Sequence, residues 1–157
     1  MKLKPTIMLQ CKLLRNILVV VAFTFLTFTG CSSDDDNVTV QVSVNGTVLF
    51  DDGDDFNGDV DGDFTGTGGS ATRVFEWQNN LSTADYNADI TATAEGSFKI
   101  VVKDADGNVV LDKSLSGAVE PDSIDGVTAS GTPGIWTVTI TLTSFKGDGS
   151  FSLSAGT

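Results

Sequence analysis

From Val38 onward apolar and polar residues alternate, and no stretch carries the period of an amphipathic helix. Val38, Val40, Val42 and Val44 point one way and Thr39, Gln41 and Ser43 the other, and Asn45-Gly46 predicts a tight hairpin into residues 47–50. Phe75 and Trp77 share a face in the next predicted strand, as do Ile90, Ala92 and Ala94 in the one after it. Phe98, Ile100 and Val102 alternate with Lys99 and Lys103; Asp106-Gly107 turns the chain, and Val109, Leu111 and Leu115 bring it back. Trp136, Val138, Ile140 and Leu142 oppose Thr137, Thr139, Thr141 and Thr143, and a turn at residues 147–149 leads into Phe151 and Leu153. About eight strands result.

Each strand has one apolar and one polar face, so two sheets that cover each other satisfy the pattern. The predicted fold is all-β: an antiparallel β-sandwich of Ig-like or jelly-roll-like kind, with a barrel as the alternative. Two stretches break the rhythm and read as long loops. Residues 51–70 are rich in Asp and Gly, and residues 118–134 contain Pro121 and Pro133.

The first thirty residues follow another pattern. Lys2, Lys4, Lys12 and Arg15 precede an uncharged apolar run over residues 17–28, too short to cross a bilayer core, and Thr29-Gly30 supplies small side chains. Phe28-Thr29-Gly30-Cys31 resembles the signal of bacterial lipoproteins, with phenylalanine where leucine is commoner. The resemblance implies removal of residues 1–30 and acylation of Cys31, so that the protein is held on the membrane through lipid. A single acyl chain binds marginally, whereas two or three hold durably. Ser32 implies sorting to the outer membrane, and Ser33-Asp34-Asp35-Asp36 is similar to the acidic tethers that send lipoproteins to the cell surface. A solvated, self-repelling spacer explains the same aspartates. The expected organisation is therefore a leader over 1–30, a lipidated tether over 31–37 and one sandwich domain over 38–157.

Removing the leader leaves five basic residues against all twenty-one acidic ones, a net charge of −16. Nucleic acid is excluded as a partner. Beyond Cys31 there is neither cysteine nor histidine, hence no disulfide, no zinc site of nitrogen and sulfur ligands and no histidine base.

Within 51–63, Asp55, Asn57, Asp59, Asp61 and Asp63 stand at alternate positions among glycines and suit calcium. Val60 occupies the position where EF-hand loops require glycine, and no glutamate closes the set, so a solvated acidic loop is the competing interpretation. Asp104, Asp106 and Asn108 are explained by turn chemistry. Trp77 and Trp136 fall on apolar faces and belong to the core, leaving Tyr86, between Asp85 and Asn87, as the exposed aromatic able to stack on a ligand. Composition leaves a two-carboxylate glycosidase open but provides no nucleophilic triad.

Over residues 96–154 the succession of strand, Asp-Ala-Asp-Gly turn, strand, loop, Gly134-Ile135-Trp136-Thr137-Val138 and Gly-Asp-Gly-Ser-Phe-Ser-Leu resembles the bacterial pre-peptidase C-terminal domain. The resemblance implies a small, non-catalytic β-sandwich. The function expected from the whole chain is a lipid-anchored outer-membrane module that binds an extracellular glycan or protein through its loops, stabilised by calcium. A structural spacer without a specific ligand is the alternative.

Overall fold

The structure, a computed structural model, describes residues 39–50, 53–92 and 96–156. Cys31, the leader and the tether lie outside the described residues, as do Val38, Asp51, Asp52 and Ala94. Nine strands run through the described chain: β1 (Val40–Val44), β2 (Thr47–Val48), β3 (Asp54–Asn57), β4 (Val60–Asn79), β5 (Ala84–Ala92), β6 (Ser97–Lys103), β7 (Val109–Ser116), β8 (Ser123–Val127) and β9 (Gly134–Ala155). The fold is an all-β sandwich, antiparallel except where β3 pairs in parallel with β4.

Two long strands hold it together. The first part of β4 pairs with β1 on one side and with the last part of β9 on the other, and β9 continues to β5 and β8; this is the front layer. The second part of β4 pairs with β3 and with the first part of β9, which continues to β6 and β7 as the back layer. Between the parts the ladder is irregular at residues 67–71, where Gly68 takes a φ of 112° and, opposite it, Ser144 takes 45°. There the burial parity flips. Val60 and Phe64 are buried before the corner of β4 and Phe75 and Trp77 after it; in β9 the sequence is Trp136, Val138, Ile140 and Leu142, then Phe145, Phe151 and Leu153. A bulge's odd residue shifts the alternation by one, so the apolar side stays inward while the strand bends between layers.

The layers meet through aromatic rings. Phe64 of the front stacks on Phe98 of the back at 4.7 Å, and Phe151 of the front lies 6.3 Å from both Phe75 and Phe98. Trp77 and Trp136, register partners in the back layer, meet edge to face at 5.9 Å, and each indole N–H finds a backbone acceptor, Gly58 O and Thr132 O respectively. Both tryptophans are therefore core residues.

Several expectations change. Residues 51–70 are not one loop: β3 and the first part of β4 occupy most of them. Here the inward positions are Val60, Gly62 and Phe64, and a Cβ on Gly62 would collide with the Phe151 ring. On the paired strand, a Cβ on Gly149 would meet the Phe64 ring. Gly62 is the register partner of Phe151 and Gly149 of Phe64, so each glycine makes room for the ring across from it. The turn expected at 147–149 is absent because β9 continues through it. Residues 118–134 contain β8, and Val109 points outward while Val110 and Leu111 are both buried, because the β6–β7 register shifts beside it. The Asn45-Gly46 and Asp106-Gly107 hairpins form where expected, with positive φ at Asn45, Gly46 and Gly107.

Candidate functional site

At the side of the sandwich where β5 of the front layer approaches β7 of the back, the connection from β7 to β8 crosses between layers and leaves a cleft of about 380 Å³. Asp89, Ile90 and Thr91 of β5 form one wall, and Ser116, Ala118, Val119, Glu120 and Asp122 form the other. The backbone N–H of Ile90 donates to Asp122 O at 2.9 Å, fixing the connection against β5, and Gly117 N–H donates to Gly96 O at 2.8 Å at its other end. The lining combines three carboxylates, two hydroxyls and an apolar rim in which Val119 is 62% exposed. Asp89 accepts a hydrogen bond from Ser150 at 3.3 Å. Among the described residues, the Glu120 and Asp122 carboxylates have no partner. Of these residues, the sequence pointed only to 118–122, as part of a loop. Asp89, Thr91 and Ser116 looked like ordinary outward strand positions, which is what they are until the connection folds over them.

The five positions that suggested calcium are not gathered at one centre. Asp55 and Asn57 lie on β3 and face outward from the back layer, beside Glu76 and Gln78, their register partners on β4. With Ile135 they line a small groove of about 140 Å³. Asp61 and Asp63 face outward from the front layer, on the opposite side of the sandwich, and Asp59 is exposed in the turn before β4. Strand formation spaces Asp61 and Asp63 about 7 Å apart along one face, where a calcium loop would curl them together. Among the described residues no group of three or more acidic side chains has the geometry to hold a metal.

Tyr86 is likewise not an open stacking platform. It shares the inward side of β5 with Ala84 and Ala88, packs against the core half-buried and lies against Gly126, its register partner on β8. Neighbouring polar residues suggested exposure, but strand alternation turns Asp85 and Asn87 outward and Tyr86 inward.

The second acidic turn is built as turn chemistry requires. Asp104 is buried at 4% exposure; one carboxylate oxygen accepts from the backbone N–H groups of Asp106 and Asn108 at 3.0 and 2.8 Å, the other from Thr132 N–H at 2.9 Å and the Asn108 amide at 3.2 Å. The Thr132 N–H foremost, then the Asn108 and Asp106 donors, hold its carboxyl below the usual aspartate range against the opposing effect of burial. With both oxygens occupied by N–H donors, Asp104 fastens the end of the 128–134 segment to the β6–β7 hairpin.

No family model matches the chain and no curated protein matches it. Among solved structures, the pre-peptidase C-terminal domain of a collagenase from Bacillus anthracis is similar at 15% identity and a TM-score of 0.40, covering 67% of this chain and 95% of that one. The carbohydrate-binding module TmCBM61, solved with β-1,4-galactotriose, is similar at 11% identity and a TM-score of 0.37 over 73% and 83% of the two chains. The C-terminal CBM6 of LamC, a laminarinase from Zobellia galactanivorans, is similar at 14% identity and a TM-score of 0.37 over 59% and 79%.

Proposed function

We propose that this chain is a non-catalytic glycan-binding module, held on the outer membrane by acyl chains on Cys31 and facing the cell exterior. The binding half of the proposal is carried by one observation, the cleft between β5 and the β7–β8 connection. Its volume suits a sugar residue or two. Sugar hydroxyls donate to Asp89, Glu120 and Asp122 in charge-assisted hydrogen bonds, Thr91 and Ser116 can donate or accept, and Val119 offers apolar surface to the C–H face of a ring. A glycosidase needs one carboxylic acid sheltered by apolar surroundings, whereas Asp89, Glu120 and Asp122 are all exposed.

The anchoring half rests on Phe28-Thr29-Gly30-Cys31 and the acidic run after it. Acyl chains contribute roughly 0.8 kcal/mol per buried methylene, enough for durable attachment when two or three are present. A glycan array probed with the mature chain tests the binding half: selective signal that Val119→Asp abolishes supports it, and a blank array leaves the spacer alternative standing. Incorporation of labelled palmitate, lost in Cys31→Ser, tests the anchor, and protease shaving of intact cells tests the orientation.

A further inference from the structure

We infer that the outer face of the back layer joins two copies of this chain in a two-fold pair. The register across β4, β9 and β6 sets Glu76, Thr137 and Lys103 in one row, Val74, Thr139 and Val101 in the next, and Thr72, Thr141 and Lys99 in a third. These side chains alternate with the buried ones and point outward. The centre of the face is therefore uncharged and β-branched, with an acid on one flank and a base on the other. Glu76 and Lys103 stand about 10 Å apart at the backbone, two strand spacings, and among the described residues neither has an ion-pair or hydrogen-bond partner. The two outer faces differ in charge. The front layer presents Asp61, Asp63, Asp85, Asp89, Asp125 and Asp148 with Lys146 as its base, which opposes self-association there. The back face nearly balances Asp55, Glu76 and Asp112 with Lys99 and Lys103.

A two-fold axis along β9 puts each position of β4 opposite the position of β6 in the same row of the second copy. Glu76 of each copy then meets Lys103 of the other, and Val74 meets Val101. Thr139 and Ile135, the latter 48% exposed, meet their own counterparts on the axis. Asp55, Glu76 and Ile135 line a groove of about 140 Å³ on this face, and the amine that arrives opposite it is the second copy's Lys103. An axis across the strands and centred on Thr139 would instead set Lys103 against Lys99, so the charges select the axis along β9. Facing sheets that cross within about 30° keep these contacts, since they lie close to the axis. Five strands and four outward rows give roughly 600 Å² in plan, near the area each partner contributes to a specific interface. The residues lining the cleft beside β5 are not among these, so the pairing and the proposed glycan binding succeed or fail separately.

Sedimentation of the full chain in density-matched detergent, at about 0.15 M salt, tests the pairing. The wild-type chain should be dimeric. Glu76→Lys and Lys103→Glu, which oppose like charges, should each weaken the dimer at least about tenfold, and the two together should restore it to within about threefold of wild type. Thr139→Lys, which places two amines on the axis, should abolish it, and Asp61→Lys on the front layer should leave it intact. A wild-type chain still monomeric at about 0.1 mM, or a dimer that survives Thr139→Lys, overturns the proposal. A double reversal no better than either single variant overturns the Glu76–Lys103 pairing, and with it the axis along β9.

Discussion

Residues 53–70 and 118–134 are both rich in small, polar and acidic side chains, yet the first is almost wholly strand while the second keeps irregular backbone on either side of the five residues of β8. The difference lies in what stands opposite. In the first, Val60, Gly62 and Phe64 face the core, and Phe151 fills the space that Gly62 leaves, so a segment with few apolar residues still buries a continuous face. The second has no such partner over 117–122. Among the described residues its Glu120 and Asp122 carboxylates have no partner and line a cleft, while its far end is held by Asp104 through Thr132. Acidic residues on a paired strand stand apart along one face, whereas those on a connection that bridges two layers line a cleft.

The largest effect that would break this comparison is at Gly62. Gly62→Ala forces the Phe151 ring to move, at a cost of about 1–3 kcal/mol for overpacking, whereas Ser130→Ala in the second region should change stability by less than about 0.5 kcal/mol. Urea unfolding of the two variants checks both. Shortening the ring in Gly62→Ala/Phe151→Leu should cost less than the sum of the single changes, because the two sites share one volume.

Next is the fastening of the second region. Asp104→Asn retains the shape but replaces one acceptor oxygen by a donor that faces N–H groups, so the thermal midpoint should fall. The pH dependence has a definite sign. Because the Asp104 carboxyl is held below its ordinary range in the folded chain, the unfolded chain binds the extra proton in acid. Its contribution to stability is complete above about pH 4 and is lost as pH falls through the lower folded value. The midpoint of the wild-type chain should therefore drop more steeply than that of Asp104→Asn in this acid window.

A smaller effect sharpens the division between fastening and binding. Glu120→Gln and Asp122→Asn should leave the unfolding free energy within about 0.5 kcal/mol of wild type while weakening the proposed glycan binding. A loss of stability matching the loss of binding would make them structural. The smallest expected effect concerns calcium: with Asp55 and Asn57 on one face and Asp61 and Asp63 on the other, millimolar calcium should leave the thermal midpoint unchanged. A rise of several degrees would restore the single-centre proposal.

Much of the architecture was legible along the chain. The hairpins at Asn45-Gly46 and Asp106-Gly107, the stripe from Trp136 to Leu142 and the core placement of both tryptophans follow from turn chemistry and period-two alternation. The first part of β4 was hidden because glycine carries no hydropathy signal, although Gly62 takes an inward position as surely as a valine would. Tyr86 is hidden for a related reason: polar neighbours suggest exposure, whereas alternation puts neighbours on opposite faces.

What the sequence determined by itself is local: strand after strand by alternation, hairpins by Asn-Gly and Asp-Gly, and a strong excess of acidic over basic residues. Tertiary structure alone decided which strands share a layer, where β4 and β9 turn the corner, and that β5 and the β7–β8 connection line one cleft. Alternation assigns each side chain to one of two faces but does not say which strand lies beside it, and a single bulge reverses the assignment downstream. Those choices follow from long-range register, which the rings of Phe64, Phe98 and Phe151 set by filling the space between the sheets.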